Sequence, residues 1–87
     1  MKRENLNDIK KEVADMFGVE LSYFYEKGDH RDAKKAFIFV ARTCGYMFKE
    51  IVEFLSSSVQ NANILYFSAC EKMDLDKSFN RKMKEIL

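Results

Sequence analysis

Proline is absent from this chain, glycine occurs three times, histidine once and cysteine twice. Each scarcity removes a class of answer. Without proline and with so little glycine, and with no segment that sustains a period-two alternation, an all-β or sheet-based domain is not expected. A lone histidine, His30, has no second histidine at ligand spacing and no cysteine near it, so no metal site follows from spacing. Cys44 and Cys70 do not form a C-x-x-C pair and read as packed, reduced thiols. There is no glycine-rich phosphate loop and no G-x-S-x-G nucleophile motif. The acidic residues are scattered singly on helix faces, where they serve solubility and i,i+4 pairing. The expectation is a non-catalytic protein with no cofactor, no metal and no small-molecule substrate.

Long hydrophobic runs are also missing. The longest, Ala36 to Ala41, is far shorter than a bilayer requires, and no helix combines a strongly basic face with a broad apolar one. No membrane role is expected. Met1-Lys2-Arg3 is basic, but an acidic, amide-rich segment follows where a signal peptide would place its apolar region. A cytoplasmic protein is the expectation.

What is present is a chain of 87 residues, 47% apolar and 33% charged, enough for one domain over residues 1–87 with a small core of its own. The hydrophobic spacing is helical throughout. Leu6, Ile9, Val13, Met16 and Phe17 form one stripe, with Asn5 or Asn7 as its cap and Gly18 at its end. Val19 to Tyr25 is a short aromatic-rich helix with Leu21 and Phe24 inward, broken by Lys27-Gly28-Asp29. A central helix starts near Asp32, carries Ala33, Ala36, Phe37, Val40, Ala41 and Cys44 on one face, and stops at Gly45. Phe48, Ile51, Val52 and Leu55 define the next helix, which ends at Ser56-Ser57-Ser58. Serine breaks a helix and also caps one, so another helix begins there, with Val59, Ala62, Tyr66, Ala69, Cys70 and Met73 inward. Asp74 or Asp76 caps a last helix with the stripe Phe79, Met83, Ile86 and Leu87. The fold class is therefore all-α, a compact bundle of about six helices, one of them short.

Two consecutive helices, Tyr46 to Leu55 and Ser58 to Met73, joined by a serine turn and packed on a central helix, have the layout of a helix-turn-helix. In that geometry the first residues of the second helix face the major groove. Here they include Gln60, Asn61 and Asn63, whose amides can pair with adenine, behind Ser57 and Ser58, whose hydroxyls can bind phosphate. Net charge is only +1, yet its distribution is uneven: Lys27 to Lys49 holds six cations (Lys27, Arg31, Lys34, Lys35, Arg42, Lys49) against Asp29 and Asp32. Lys27, Arg31, Lys34 and Lys35, around the loop before the central helix, are the candidate grip on the phosphate backbone. Double-stranded DNA is the expected partner. Ile64 and Phe67 point away from the inward face and are candidates for contact with a protein partner or a second copy. A helical protein-interaction module is thus the alternative reading.

The order of elements resembles the C-terminal DNA-binding domain of the bacterial replication initiator DnaA over nearly the whole chain. The segment from Ile9 to Val19 resembles the family's opening I-x-x-x-V-A-x-x-Y/F-x-I/V helix, and Tyr23 to Lys27 its short helix leading into a basic loop. Arg31-Asp32-Ala33-Lys34 stands at the family's R-x-R-Q, with the first arginine kept and alanine at the second. Glu50-Ile51 resembles the E-I-G that starts the turn, with Val52 at the glycine, and Ala69-Cys70-Glu71-Lys72-Met73 resembles the A-C-x-K-I ending. The intervening G-G-R-D-H-T-T-V is missing. Counted from Glu50, the H-T-T positions fall on Gln60, Asn61 and Ala62; counted back from Ala69, on Asn63, Ile64 and Leu65. The resemblance implies a helix-turn-helix reading duplex DNA in replication or transcription control, but not the family's target sequence.

Overall fold

The computed structural model describes residues 5–25 and 32–87. Among these the chain forms α1 (Leu6–Phe17), a 3₁₀ helix (Leu21–Tyr25), α2 (Asp32–Thr43), α3 (Phe48–Leu55), α4 (Val59–Leu75) and α5 (Lys77–Ile86). The described residues contain no strand, so the all-α bundle read from hydrophobic spacing is the architecture found.

Local chemistry sets the boundaries. Asn5 opens α1 by accepting the Asp8 N–H at 2.8 Å. Gly18 closes it in the left-handed region at φ 67°, and a Cβ at that position would meet nothing within 4 Å, so the demand for glycine is purely conformational. Met47 has no capping side chain of its own; the Glu50 carboxylate instead reaches back and accepts the Met47 N–H at 2.7 Å, giving α3 half of a capping box. At the start of α5 it is Asp76 rather than Asp74 that caps, accepting the N–H groups of Ser78 and Phe79. No helix among the described residues is long and apolar enough to cross a membrane.

The core sits around α2, which packs against α1, α3, α4 and α5. Ala33, Ala36, Phe37, Val40, Ala41 and Cys44 are buried as their spacing predicts, and Ile38 joins them from the next face. Rings continue the core outward: Phe24 lies 5.5 Å from Phe37, which stacks on Phe54 at 5.8 Å, while Phe17 and Phe79 bring α1 and α5 together at 6.2 Å.

Four positions depart from the spacing argument. Val59 is 47% exposed, and the inward stripe of α4 is Ala62, Leu65 and Ala69, with Tyr66, Cys70 and Met73 half-buried along its flank. Apolar side chains surround α4 at Val59, Ile64, Leu65, Tyr66 and Phe67, so its periodicity admits more than one phase and packing on α2 selects it. Leu21 is exposed, while Tyr23 takes the inward place beside Phe24, their rings 5.0 Å apart. Leu87, at the end of the last stripe, is exposed where Phe79 and Met83 are buried. Lys34 is buried, because α2 is covered on almost every side; its backbone N–H donates to the Tyr23 hydroxyl at 3.2 Å and its ammonium lies 5.9 Å from that ring.

Candidate nucleic-acid interface

The α3–turn–α4 unit turns its corner on three serines with three distinct tasks. Ser56 ends α3 in the left-handed region at φ 55°, a conformation that usually selects glycine, and the N–H groups of Ser56 and Ser57 both reach the Val52 carbonyl. Ser58 caps α4, its hydroxyl accepting the Asn61 N–H at 3.1 Å. Ser57 accepts from the Asn61 side-chain amide at 3.3 Å. Asn61 is therefore folded back onto the turn, holding the corner in shape, while Gln60 is exposed and Asn63 half-exposed. Both hydroxyls spend acceptor capacity inside the turn and keep their O–H groups for an outside acceptor. Helix geometry leaves the Val59 and Gln60 N–H groups without an intrahelical partner at the same end.

The outward face of α4 continues from this corner. Gln60, Asn63, Ile64 and Phe67 follow at i, i+3, i+4 and i+7, with Ile64 57% and Phe67 66% exposed. Ala62 and Leu65 are buried beneath this strip.

Of the expected cationic grip, one member is turned into the fold. Lys34 offers little of its side chain to solvent. Lys35 is half-exposed, and Lys49 on α3 is exposed. Lys27 and Arg31 lie outside the described residues. Arg42 is built into an aromatic shelf between α2, α3 and α4: its guanidinium sits 4.6 Å from the Phe48 ring and 6.0 Å from Tyr66, and Nη1 donates to the Tyr46 carbonyl at 3.0 Å. Its Nε is buried with no hydrogen-bond partner. Tyr66 also stacks on Phe39 and meets Phe48 and Phe67 edge-on, and its hydroxyl pKa is raised by a hydrogen bond with Cys70 and by burial. Asp32, which the sequence sets among the basic residues as a neutraliser, pairs with Lys72 at 3.1 Å, far along the chain.

A second group of cations lies outside the Lys27 to Lys49 stretch, on α5, where Lys77, Arg81 and Lys84 are all exposed. Their i, i+4, i+7 spacing, opposite the Phe79–Met83 stripe, was the available signal. Among the described residues no three His, Cys, Asp or Glu side chains converge as a metal site would require. No protein-family model, no curated protein and no solved structure matches this chain.

Proposed function

We propose that this chain is a non-catalytic helix-turn-helix module that binds double-stranded DNA, with α4 entering the major groove and the serine corner meeting the phosphate backbone. One observation carries the reading: the first turn of α4 is open to solvent, with Ser57, Ser58 and Gln60 all exposed at the corner of a two-helix unit seated on a buried third helix. Hydroxyls and free helix amides suit phosphate oxygens, Gln60 and Asn63 suit adenine, and Ile64 on the same strip suits the methyl group of thymine. Lys49, exposed on α3, supplies charge on the same two-helix unit, and the half-exposed Lys35 supplies it from α2; Lys34 has no part in it. The resemblance to the DnaA domain points the same way, with a different set of readers on the helix.

Fluorescence anisotropy with a labelled mixed-sequence duplex across a salt series tests this. Affinity should fall steeply as salt rises, because each neutralised phosphate releases counterions. Absence of binding at low salt refutes the proposal.

The exposed pair Ile64 and Phe67 favours a second reading, a protein-interaction module in which the same strip docks on another protein or a second copy. Phe67→Ser separates the two. Under the docking reading it abolishes concentration-dependent self-association in sedimentation, or retention of a binding partner; under the DNA reading, salt-sensitive duplex binding persists.

A further inference from the structure

The apolar side of α5 is spent on the core, with Phe79 and Met83 buried and Ile86 half-buried. The other side is a ridge of three exposed cations, Lys77, Arg81 and Lys84, spread over about 10 Å of helix. With Met73, Asp74 and Asn80 they line a shallow depression of about 370 Å³. Asn80 is held in its floor by donating its amide to the Met73 carbonyl at 2.8 Å.

Most other cations in contact with this part of the fold are committed. Lys72 is paired with Asp32 and Asp76, and Lys82 lies 4.7 Å from the Phe17 ring. Lys77, Arg81 and Lys84 form no ion pair with any described residue. Lys77 and Arg81 face one another at i,i+4 and Arg81 and Lys84 at i,i+3, a like-charge row; Asp74 at the edge of the depression and the Asp76 cap beside Lys77 offset only its first member. An external anion would relieve the repulsion left between Arg81 and its neighbours.

We propose that this ridge is a second contact for the phosphate backbone of a nucleic acid, separate from the serine corner, an inference that rests on the DNA-binding reading above. A lipid surface fits less well, because an interfacial helix needs a free apolar face and this one is buried. The 17 residues of α4 set the first residue of the ridge, Lys77, roughly 25 Å along the helix from the serine corner. At that separation the two would meet different phosphates.

The test compares the wild type with Lys77→Gln/Arg81→Gln/Lys84→Gln in anisotropy titrations on one labelled duplex, between about 50 and 200 mM salt. The slope of log affinity on log salt should shrink in magnitude by about 2 to 3 in the triple variant, or about 0.9 for each single change. Lys77→Arg/Lys84→Arg should keep the wild-type slope, and so should Lys11→Gln, an exposed change on α1. Circular dichroism and urea midpoints check that all variants fold. A wild type that binds while the triple variant keeps its slope overturns this inference and leaves the DNA reading standing. So does a Lys11→Gln variant that loses as much slope as a single change on the ridge. A wild type that binds no duplex, or binds only vesicles of anionic lipid, overturns both.

Discussion

At the residue scale, two helix ends solve one problem with different chemistry. Gly18 and Ser56 both hold the left-handed conformation, at φ 67° and φ 55°, but only glycine does so without a penalty from its Cβ. Ser56→Gly should raise unfolding stability by about 0.5–1 kcal/mol, or roughly 4 °C in melting temperature for a domain of this size. Calorimetry checks it, and a lower midpoint would mean that the serine side chain supports the corner. Asp76 offers a pH test. The Phe79 N–H first, then Lys72 and the Ser78 N–H, stabilise its charged form and hold its carboxyl below the ordinary value near 3.8. A lowered folded-state pKa contributes stability above the unfolded value, and that contribution disappears as pH falls through the folded value. Urea midpoints should drop below about pH 4. Asp76→Asn, which retains a capping oxygen but does not titrate there, should flatten that drop. Parallel curves for the two proteins would assign the acid loss to other carboxylates.

At the element scale, α4 has one buried and one exposed side, which should respond unequally to truncation. Leu65 is 2% exposed and packs inward, so Leu65→Ala should cost about 2–4 kcal/mol in urea unfolding. Phe67 is 66% exposed, so Phe67→Ser should shift stability by less than about 1 kcal/mol. If the second variant proved as damaging as the first, the outward strip would be part of the core and unable to meet any partner.

How far the sequence was legible follows from the same helix. The stripes of α1, α3 and α5 could be read because polar residues border them, and α2, apolar without interruption from Ala36 to Ala41, is buried nearly all round, so no single face had to be chosen. The face of α4 could not be settled by pattern alone, since Ile64, Leu65, Tyr66 and Phe67 are consecutive and only packing on α2 decides which of them points inward. The serine corner was legible as a break followed by a cap, whereas the folding-back of the Asn61 side chain depends on one hydrogen bond to the Ser57 hydroxyl that no spacing rule specifies. Lys34 was misread for a reason outside its own turn: a lysine one step from a loop usually faces water, but the Tyr23 ring covers this one.

At the scale of the whole molecule, stability should be unevenly distributed around α2. This helix packs against every other α-helix, and its middle, Phe37 to Ala41, is buried apart from Phe39. Its amides have no route to solvent short of unfolding the bundle. The 3₁₀ helix is short, exposes Leu21 and Ser22, and is anchored through Tyr23 and Phe24. The start of α4 has only Ala62 buried in its first five residues. Native-state hydrogen exchange should therefore give the Phe37–Ala41 amides an opening free energy equal to that of global unfolding, while the 3₁₀ helix and the first turn of α4 open at lower cost. Such a gradient is what the proposed DNA contact would require: a corner free to adjust while the scaffold beneath it stays rigid. Equal protection at the corner and in α2 would contradict it, and would mean that the exposed end of α4 is held as firmly as the core.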